Sequence, residues 1–434
     1  MTERNRELAG LIAVGALTAI GFASVYIAQE SVVSAATLSY AGVFLGLYVV
    51  AHLVARLTVP YADPYLLPIA GLLTAIGVTE IYRLHPADAF RQGVWIVIGV
   101  ALFALTLLLV GRDYRRLEGY KYLFGLGAVG LLLLPALPII GATVNGARLW
   151  IKLGPLQFQP GELAKIMLIL FLAGYLREKR EVLAQGRLKD FGPLLVIWGF
   201  AMLVLVETND LGSALLFFGI FLAMLYAATA RVLFVGIGAG LFLGGAIGAY
   251  EFVSRVGQRV TIWLHPWTDH AVYCAQTGKL DLRQNCASYQ LVKSLYSIGN
   301  GHYGGTGLGK GTFTTTGGQD LIPYLNTDFI YSAIAQEIGL IGAAALLLVY
   351  MVFIARGFRV ALTVDDGFSK LLAVGLTFGF ALQTFIIVGG VLRLIPLTGI
   401  TLPFVSYGGS SVVANFILLA GLMLVSNRAN APRH

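Results

Sequence analysis

The chain has 434 residues, of which 57% are hydrophobic and only 12% are charged, and its mean hydropathy is +0.80. A soluble globular protein carries about 25% charged residues, so this chain has too few polar side chains to cover a surface in water. Soluble enzymes are therefore excluded, and an all-α polytopic membrane protein is predicted. The net charge is +8, but no basic run stands apart from the membrane flanks, so nucleic acid is not an expected partner.

Twelve apolar segments are predicted to cross the membrane as helices, since about 20 apolar residues span the hydrocarbon core. They lie near 8–28, 34–55, 62–82, 92–111, 120–141, 160–176, 191–206, 210–229, 232–254, 327–355, 368–391 and 403–427. Residues 1–434 are thus read as a single membrane domain with one long connection at about 255–326.

The distribution of lysine and arginine predicts the orientation of these helices, because basic residues concentrate in cytoplasmic loops. With the N-terminus in the cytoplasm, eighteen basic residues fall on the cytoplasmic side and five in the short outer loops. Both termini are therefore expected in the cytoplasm, and the 255–326 loop on the outer face. No cleavable signal peptide is expected, because the first apolar run is too long.

The outer loop contains the two cysteines of the chain and a candidate base. Cys274 and Cys286 face an oxidising exterior and are predicted to form a disulfide, with two free thiols as the alternative. Asp269 follows two tryptophans, and partial burial between aromatic rings would make it a usable base; a solvated surface carboxylate is the alternative. His265 and His270 lack further spaced ligands, so no metal site is predicted.

Charged residues inside membrane spans usually mark a site or pathway. Glu162 and Lys165 lie one turn apart on the helix that Pro160 begins, so they can pair. They would either line a site or form a structural ion pair. Asp210 lies in a short turn and is predicted to cap the following helix.

Three further charges and one glycine run lie towards the C-terminus. Asp328 opens a span, and Glu337, nine residues later, requires a partner. Arg393 would face either an anionic ligand or Glu337. The run 304–311 contains G-x-x-x-x-G-K but has glycine where a phosphate loop needs Ser or Thr, so an NTPase is rejected and a close backbone approach is predicted.

Several of these blocks resemble the SEDS family, which includes RodA and FtsW. The matching strings are Ile395-Pro-Leu-Thr-Gly-Ile-Thr-Leu-Pro-Phe-Val-Ser-Tyr-Gly-Gly-Ser-Ser411, Asn145-Gly-Ala-Arg148-x-Trp150, Phe158-Gln-Pro-x-Glu162-x-x-Lys165, Asp210-Leu-Gly, Thr327-Asp-Phe-Ile330 and Glu337-x-Gly339. They span roughly 83–427 in the family's order. Because the family has ten spans, the resemblance implies that 1–58 forms two extra N-terminal helices, as in twelve-span members from some Gram-positive lineages.

The resemblance implies a peptidoglycan glycosyltransferase of the bacterial plasma membrane that polymerises lipid II into β-1,4 glycan at the outer face during cell elongation or division. It implies a class B penicillin-binding protein as transpeptidase partner, and contacts with membrane lipids. The family's candidate base corresponds to Asp269. Arginines, or a divalent cation such as Mg²⁺ or Mn²⁺, would stabilise the departing diphosphate. The residues implied in substrate binding are Arg91, Arg148, Glu162, Lys165, Ser294, Asp328, Glu337 and Arg393.

The chain departs from the family pattern in the outer loop. His265 stands where the family usually has Asp or Asn, His270 replaces a proline, and Lys293 replaces a glutamine beside Ser294. Asp281 is therefore the alternative base. Two other functions remain open at this point: a transporter that flips a lipid-linked precursor, and a scaffold that recruits partner enzymes.

Overall fold

The computed structural model describes residues 3–30, 35–111, 113–137, 140–144, 147–153, 156–184, 192–208, 210–267, 288–314 and 320–432. The helices in this part of the chain are α1 (Glu3–Glu30), α2 (Ala35–Thr58), α3 (Leu66–Leu84), α4 (Pro86–Val110), α5 (Lys121–Leu133), α6 (Pro160–Ala184), α7 (Gly192–Glu207), α8 (Leu211–Thr229), α9 (Val232–Phe252), α10 (Ser254–Leu264), α11 (Tyr289–Asn300), α12 (Ile330–Thr363), α13 (Gly367–Val391) and α14 (Gly409–Asn430).

The predicted all-α membrane fold is confirmed, and each of the twelve predicted segments contains a helix, α1–α9 and α12–α14. In the described part of the chain, nine helical segments are long and apolar enough to cross a membrane. Among the remaining three, α7 and the apolar part of α2 are shorter, and α6 carries charges at both ends. The full count of twelve spans stays a prediction.

One small sheet was not predicted. Strands β1 (Gly141–Val144), β2 (Ala147–Leu153) and β3 (Leu156–Phe158) pair antiparallel in that order between α5 and α6. The span expected over 120–141 is correspondingly shorter, since α5 ends at Leu133. Pro135 lies two residues after Leu133, and proline cannot donate the backbone hydrogen bond that would continue the helix.

The C-terminal helices form the centre of the bundle. Helix α14 packs along α4, and α13 packs against α6, α8 and α12. Small residues allow close approach, as is typical of membrane helices: Gly99 of α4 lies against the Phe416 ring, and a Cβ on Gly409 would be 2.2 Å from the Trp95 ring. Helix α9, by contrast, has only Gly238 buried and lies at the periphery.

The starts of α4, α6, α8, α12 and α14 meet at one end of the bundle, together with the three strands and α10. We call this the site end. The meeting follows from the antiparallel order of the helices, because each helix that begins here follows one that ends here.

Candidate active site

The non-helical connection between α13 and α14 ties the helix starts together at the site end. Gln92 of α4 donates from Nε2 to the carbonyl of Ser406 (3.2 Å) and accepts at Oε1 from the amide of Gly408 (3.2 Å). The hydroxyl of Ser406 donates to the carbonyl of Thr327 (2.6 Å). Buried backbone groups of this connection thus find partners on α4 and before α12.

A buried polar triangle joins α6 to α13. Lys165 Nζ donates to Glu162 Oε2 (2.8 Å) and to Gln383 Oε1 (2.6 Å), and the Lys165 side chain is 2% exposed. Gln383 Nε2 in turn donates to the carbonyl of Thr401 (3.0 Å). The pairing expected from the spacing is present. Gln383, which sequence reasoning missed, is the third member, and its signal was an amide within the apolar second half of α13.

A small pocket that is open to the surface lies beside this triangle. Its polar lining comes from Arg148 of β2, Gln159, Thr208 and Asp210, and its apolar lining from Leu132, Pro135, Leu149 and Leu205. Arg148 Nε is buried and has no hydrogen-bond partner among the described residues. A guanidinium with an unused donor can bind the oxygens of an anionic group such as a diphosphate.

Asp210 has the capping role that was predicted. Its Oδ1 accepts from the amide of Ser213 (3.0 Å) at the start of α8. Burial raises the pKa of Asp210, and the nearby Glu162 charge acts in the same direction, while the Ser213 hydrogen bonds and Arg259 oppose it. Asp210 therefore holds one wall of the cavity through α8.

Asp328 and Arg259 face each other across Gly399, which has a φ of 78°. A Cβ on this glycine would lie 3.5 Å from Asp328 Oδ2 and 3.9 Å from Arg259 Nη2. Arg259 also donates to the carbonyl of Thr398 (3.0 Å). Burial raises the pKa of Asp328 to about 6, although the Arg259 cation opposes this shift. Arg259 and Asp328 therefore belong to the same part of the site.

We expect the stability of the protein to fall as the pH rises from about 4 to about 6, because a carboxyl with a raised pKa binds its proton more tightly in the folded state. The Asp328→Asn variant lacks this titration. The melting temperature of the wild type relative to this variant, measured in detergent, should therefore be higher at about pH 4.5 than at about pH 7.5. If the difference in melting temperature between the wild type and Asp328→Asn does not change with pH, the raised pKa of Asp328 is wrong.

Arg393 clamps the end of α10. Its backbone has a φ of 59°, and its guanidinium donates to the carbonyls of Trp263 (2.7 Å) and Leu264 (2.9 Å) and lies over the Trp267 ring. Trp263 Nε1 donates back to the Arg393 carbonyl (3.1 Å). A cation that donates to the last carbonyls of a helix stabilises it, because the C-terminal end of a helix carries a partial negative charge. Arg393 thus positions α10 and does not contact Glu337, the alternative partner considered above.

Glu337 pairs instead with Arg83, at the end of α3. Its Oε1 accepts from Arg83 Nε (3.0 Å) and from the amide of Gly311 (3.1 Å), and its Oε2 from the amide of Gly309 (2.6 Å). The side chain is fully buried. The glycine run therefore encloses a carboxylate of the chain itself, which confirms the predicted close approach. Glu337 is held inside the fold.

The loop that contains the glycine run also supplies hydrogen-bond partners at a break in α12. Gly339 has a φ of 71°, so the helical hydrogen-bond ladder is interrupted there. The amide of Gly307 donates to the Glu337 carbonyl (2.9 Å), and the amide of Leu340 donates to the His302 carbonyl (2.9 Å). Non-helical backbone at membrane depth needs such internal partners.

Two other predicted substrate residues have different surroundings. Arg91 is largely exposed at the start of α4 and pairs with Asp88 (3.2 Å). Ser294 is fully buried between α11 and α12, where its hydroxyl shares a hydrogen bond with Ser332 (2.7 Å). The exposed Arg91 can meet a ligand, whereas Ser294 is a helix-packing contact.

Asp269, Asp281, Cys274 and Cys286 lie outside the described residues, in 268–287. Both flanks of this segment are at the site end, because Trp267 Nε1 donates to the Tyr296 hydroxyl of α11 (3.3 Å). Within the described ranges, no group of three or more His, Cys, Asp or Glu side chains is placed to hold a metal ion.

We expect Cys274 and Cys286 to be bridged in the native protein, since both belong to the loop predicted on the oxidising side. Alkylation without a reductant, followed by mass spectrometry, should label neither thiol. Reduction before alkylation is the control and should label both. Recovery of two labelled cysteines without reduction would contradict the bridge.

Known proteins match this chain over almost its whole length. RodA of Mycobacterium tuberculosis, named a peptidoglycan glycosyltransferase, is 39% identical over 99% of this chain and 92% of its own length. FtsW of Geobacter metallireducens, named a probable peptidoglycan glycosyltransferase, is 32% identical over 84% of this chain and 95% of its own length.

A chain with the same fold is found in a solved structure of a peptidoglycan synthase complex. That complex is described as coordinating polymerization and crosslinking. That chain is 28% identical, with a TM-score of 0.69, over 85% of this chain and 98% of its own length. The family model described as "Cell cycle protein", for FtsW, RodA and SpoVE, matches residues 64–431. This chain therefore belongs to the FtsW, RodA and SpoVE family of cell cycle proteins.

Proposed function

We propose that this protein is a peptidoglycan glycosyltransferase that polymerises lipid II into β-1,4 glycan strands. The observation that carries the proposal is the cavity at the site end, where Arg148 Nε is buried and has no hydrogen-bond partner in the described part of the chain. A cation in such a place suits the diphosphate of a lipid-linked donor. The names of the relatives support the same activity.

The reaction is a single displacement with inversion at the donor sugar. The acceptor 4-hydroxyl oxygen forms a bond to the anomeric carbon, and the bond from that carbon to the diphosphate oxygen breaks. Asp269 would accept the hydroxyl proton, and the diphosphate would leave with the electron pair. Arg148 would stabilise the charge that develops on this leaving group. Arg259 and Arg91 lie at the same end of the bundle and could bind further phosphate or carboxylate oxygens.

The site end is proposed to lie at the outer face of the bacterial plasma membrane, with both termini in the cytoplasm. The supporting observation is charge: basic residues such as Arg4, Arg115, Arg177, Arg356 and Arg428 lie at the opposite ends of the helices. A donor with a long lipid tail can remain in the bilayer while its sugars reach the site end.

A class B penicillin-binding protein is the proposed partner. Polymerised glycan must be crosslinked, so a transpeptidase would use the product directly. The structural relative from a synthase complex supports an assembly of this kind. A divalent cation, Mg²⁺ or Mn²⁺, is proposed to enter with the diphosphate, whose oxygens are the hard ligands that these ions prefer.

The experiment is to reconstitute the purified protein with lipid II and to follow glycan chains and lipid II translocation in the same vesicles. We expect glycan chains, and a reduced yield after chelation of divalent cations. Translocation without glycan would favour the precursor transporter. Neither activity, in folded protein that still binds its transpeptidase, would favour a scaffold.

A further inference from the structure

Helix α1 precedes the residues that the family model matches, yet it packs against the family core. It lies along α2 and α3. The Phe22 and Tyr82 rings meet edge to face with centroids 5.5 Å apart, and Gly21 lies against Thr79. These contacts bring α1 alongside α3, the helix whose end carries Arg83.

Buried polar contacts fix α1 at the end opposite the site. Glu7 accepts from Arg4, and its Oε1 lies 2.7 Å from His52 Nδ1 of α2. Arg4 also donates to the carbonyl of Ala62, before α3. Arg4, Glu7 and His52 are all less than 5% exposed. Because buried ionic groups lose their partners if the helix slides, α1 is held at one depth along its axis.

At the site end, α1 touches the glycine loop directly. Gly309 has a φ of 79°, and a Cβ on it would lie 2.7 Å from the Ala28 Cβ and 3.3 Å from the Val25 Cα. The amide of this same Gly309 donates to Glu337 Oε2 (2.6 Å). The loop backbone is therefore packed between α1 on one side and the Glu337 carboxylate on the other.

We propose that α1 is a positioning element of the site: it holds Gly309 against Glu337 and thereby fixes the loop between α11 and α12. The loop supplies hydrogen-bond partners to the backbone groups at the break in α12, and Asp328 lies just before that helix. Its other end follows α11, whose Tyr296 anchors Trp267 beside the segment of Asp269. The proposal rests on the proposed glycosyltransferase function for its catalytic consequence, while the contact itself does not.

The test enlarges one side chain at this contact. Ala28→Leu inserts three carbons towards Gly309, whereas Ala16→Leu makes the same change on an exposed face of the same helix. We expect Ala28→Leu to lower kcat for lipid II polymerisation by about ten- to a hundredfold with little change in KM, since misplacement of about 1 Å can cost 10²-fold. Ala16→Leu should remain close to the wild type.

Hydrogen–deuterium exchange of the full-length protein gives a second, activity-independent measurement. Peptides covering 304–311 should exchange faster in Ala28→Leu and unchanged in Ala16→Leu. Ala28→Gly removes the Cβ that lies nearest to Gly309 without adding bulk, so it keeps the test available if Ala28→Leu does not fold; it should also speed exchange of this loop.

Three results would overturn the proposal: equal exchange and kcat in Ala28→Leu and Ala16→Leu, faster loop exchange with wild-type kcat in Ala28→Leu, or unchanged loop exchange in folded Ala28→Gly. If Ala28→Leu speeds exchange of the loop but the wild-type protein makes no glycan, only the proposed function is refuted. The contact between α1 and the loop would still stand.

Discussion

Asp269→Asn should lower the rate of lipid II polymerisation by about 10²–10⁴-fold, the usual cost of losing a general base. The substitution keeps the shape of the side chain and removes its basicity. Expression, melting temperature and binding of the transpeptidase should persist, because the flanks of the segment are held independently through Trp267 and α11. The measurement is glycan formation by purified variant and wild type at equal lipid II concentration.

Asp281→Asn is the matched control, since it makes the same change within the same segment. We expect it to retain polymerisation. Near wild-type glycan formation by Asp269→Asn, combined with loss in Asp281→Asn, would move the base to Asp281. If both variants retain polymerisation, general-base catalysis by this segment is wrong.

Neutralising either member of the Glu162–Lys165 pair should destabilise the protein by roughly 3–5 kcal/mol, because the remaining charge is left buried without its partner. Lys165 is the more sensitive of the two, since its side chain is 2% exposed and that of Glu162 is 12% exposed. The variants Glu162→Gln and Lys165→Met should each lower the melting temperature and the polymerisation rate. The double variant should lose less than the sum of the single losses.

The Glu3–Arg6 pair is the control, because it has the same i, i+3 spacing on α1 but its side chains are 46% and 49% exposed. A double-mutant cycle there should give a coupling of about 0–1 kcal/mol, as solvent screens exposed ion pairs. A strictly additive cycle at Glu162 and Lys165 would show that the two side chains act separately.

Much of the fold follows from local patterns in the sequence. Long apolar runs define the helices, because lipid leaves helical hydrogen bonding as the main way to satisfy the backbone. The Glu162–Lys165 contact follows from helical spacing, and the Asp210 cap from a carboxylate before a helix start. The close approach of 304–311 follows from the absence of side chains. Each of these depends on residues only a few positions apart.

Contacts between distant parts of the chain were decided only by the tertiary structure. Glu337 was expected to need a partner, but the choice between Arg83 and Arg393 depends on which helix ends meet in the bundle. Gln383 completes the Lys165 site from another helix. Arg393 donates to the last carbonyls of α10, a helix far from it in the sequence.

The sequence by itself determined that this is a helical membrane protein with a family signature and a candidate base, since composition, periodicity and motif are local properties. Only the tertiary structure distinguished the cations that face the cavity from those whose donors bind other parts of the chain. Arg148 has a buried donor without a partner among the residues that the structure describes, whereas Arg83 is bound by Glu337 and Arg393 by the end of α10. The reason is that a charged side chain is available to a ligand only if the surrounding elements leave its donors unpaired, and those elements come from other parts of the chain.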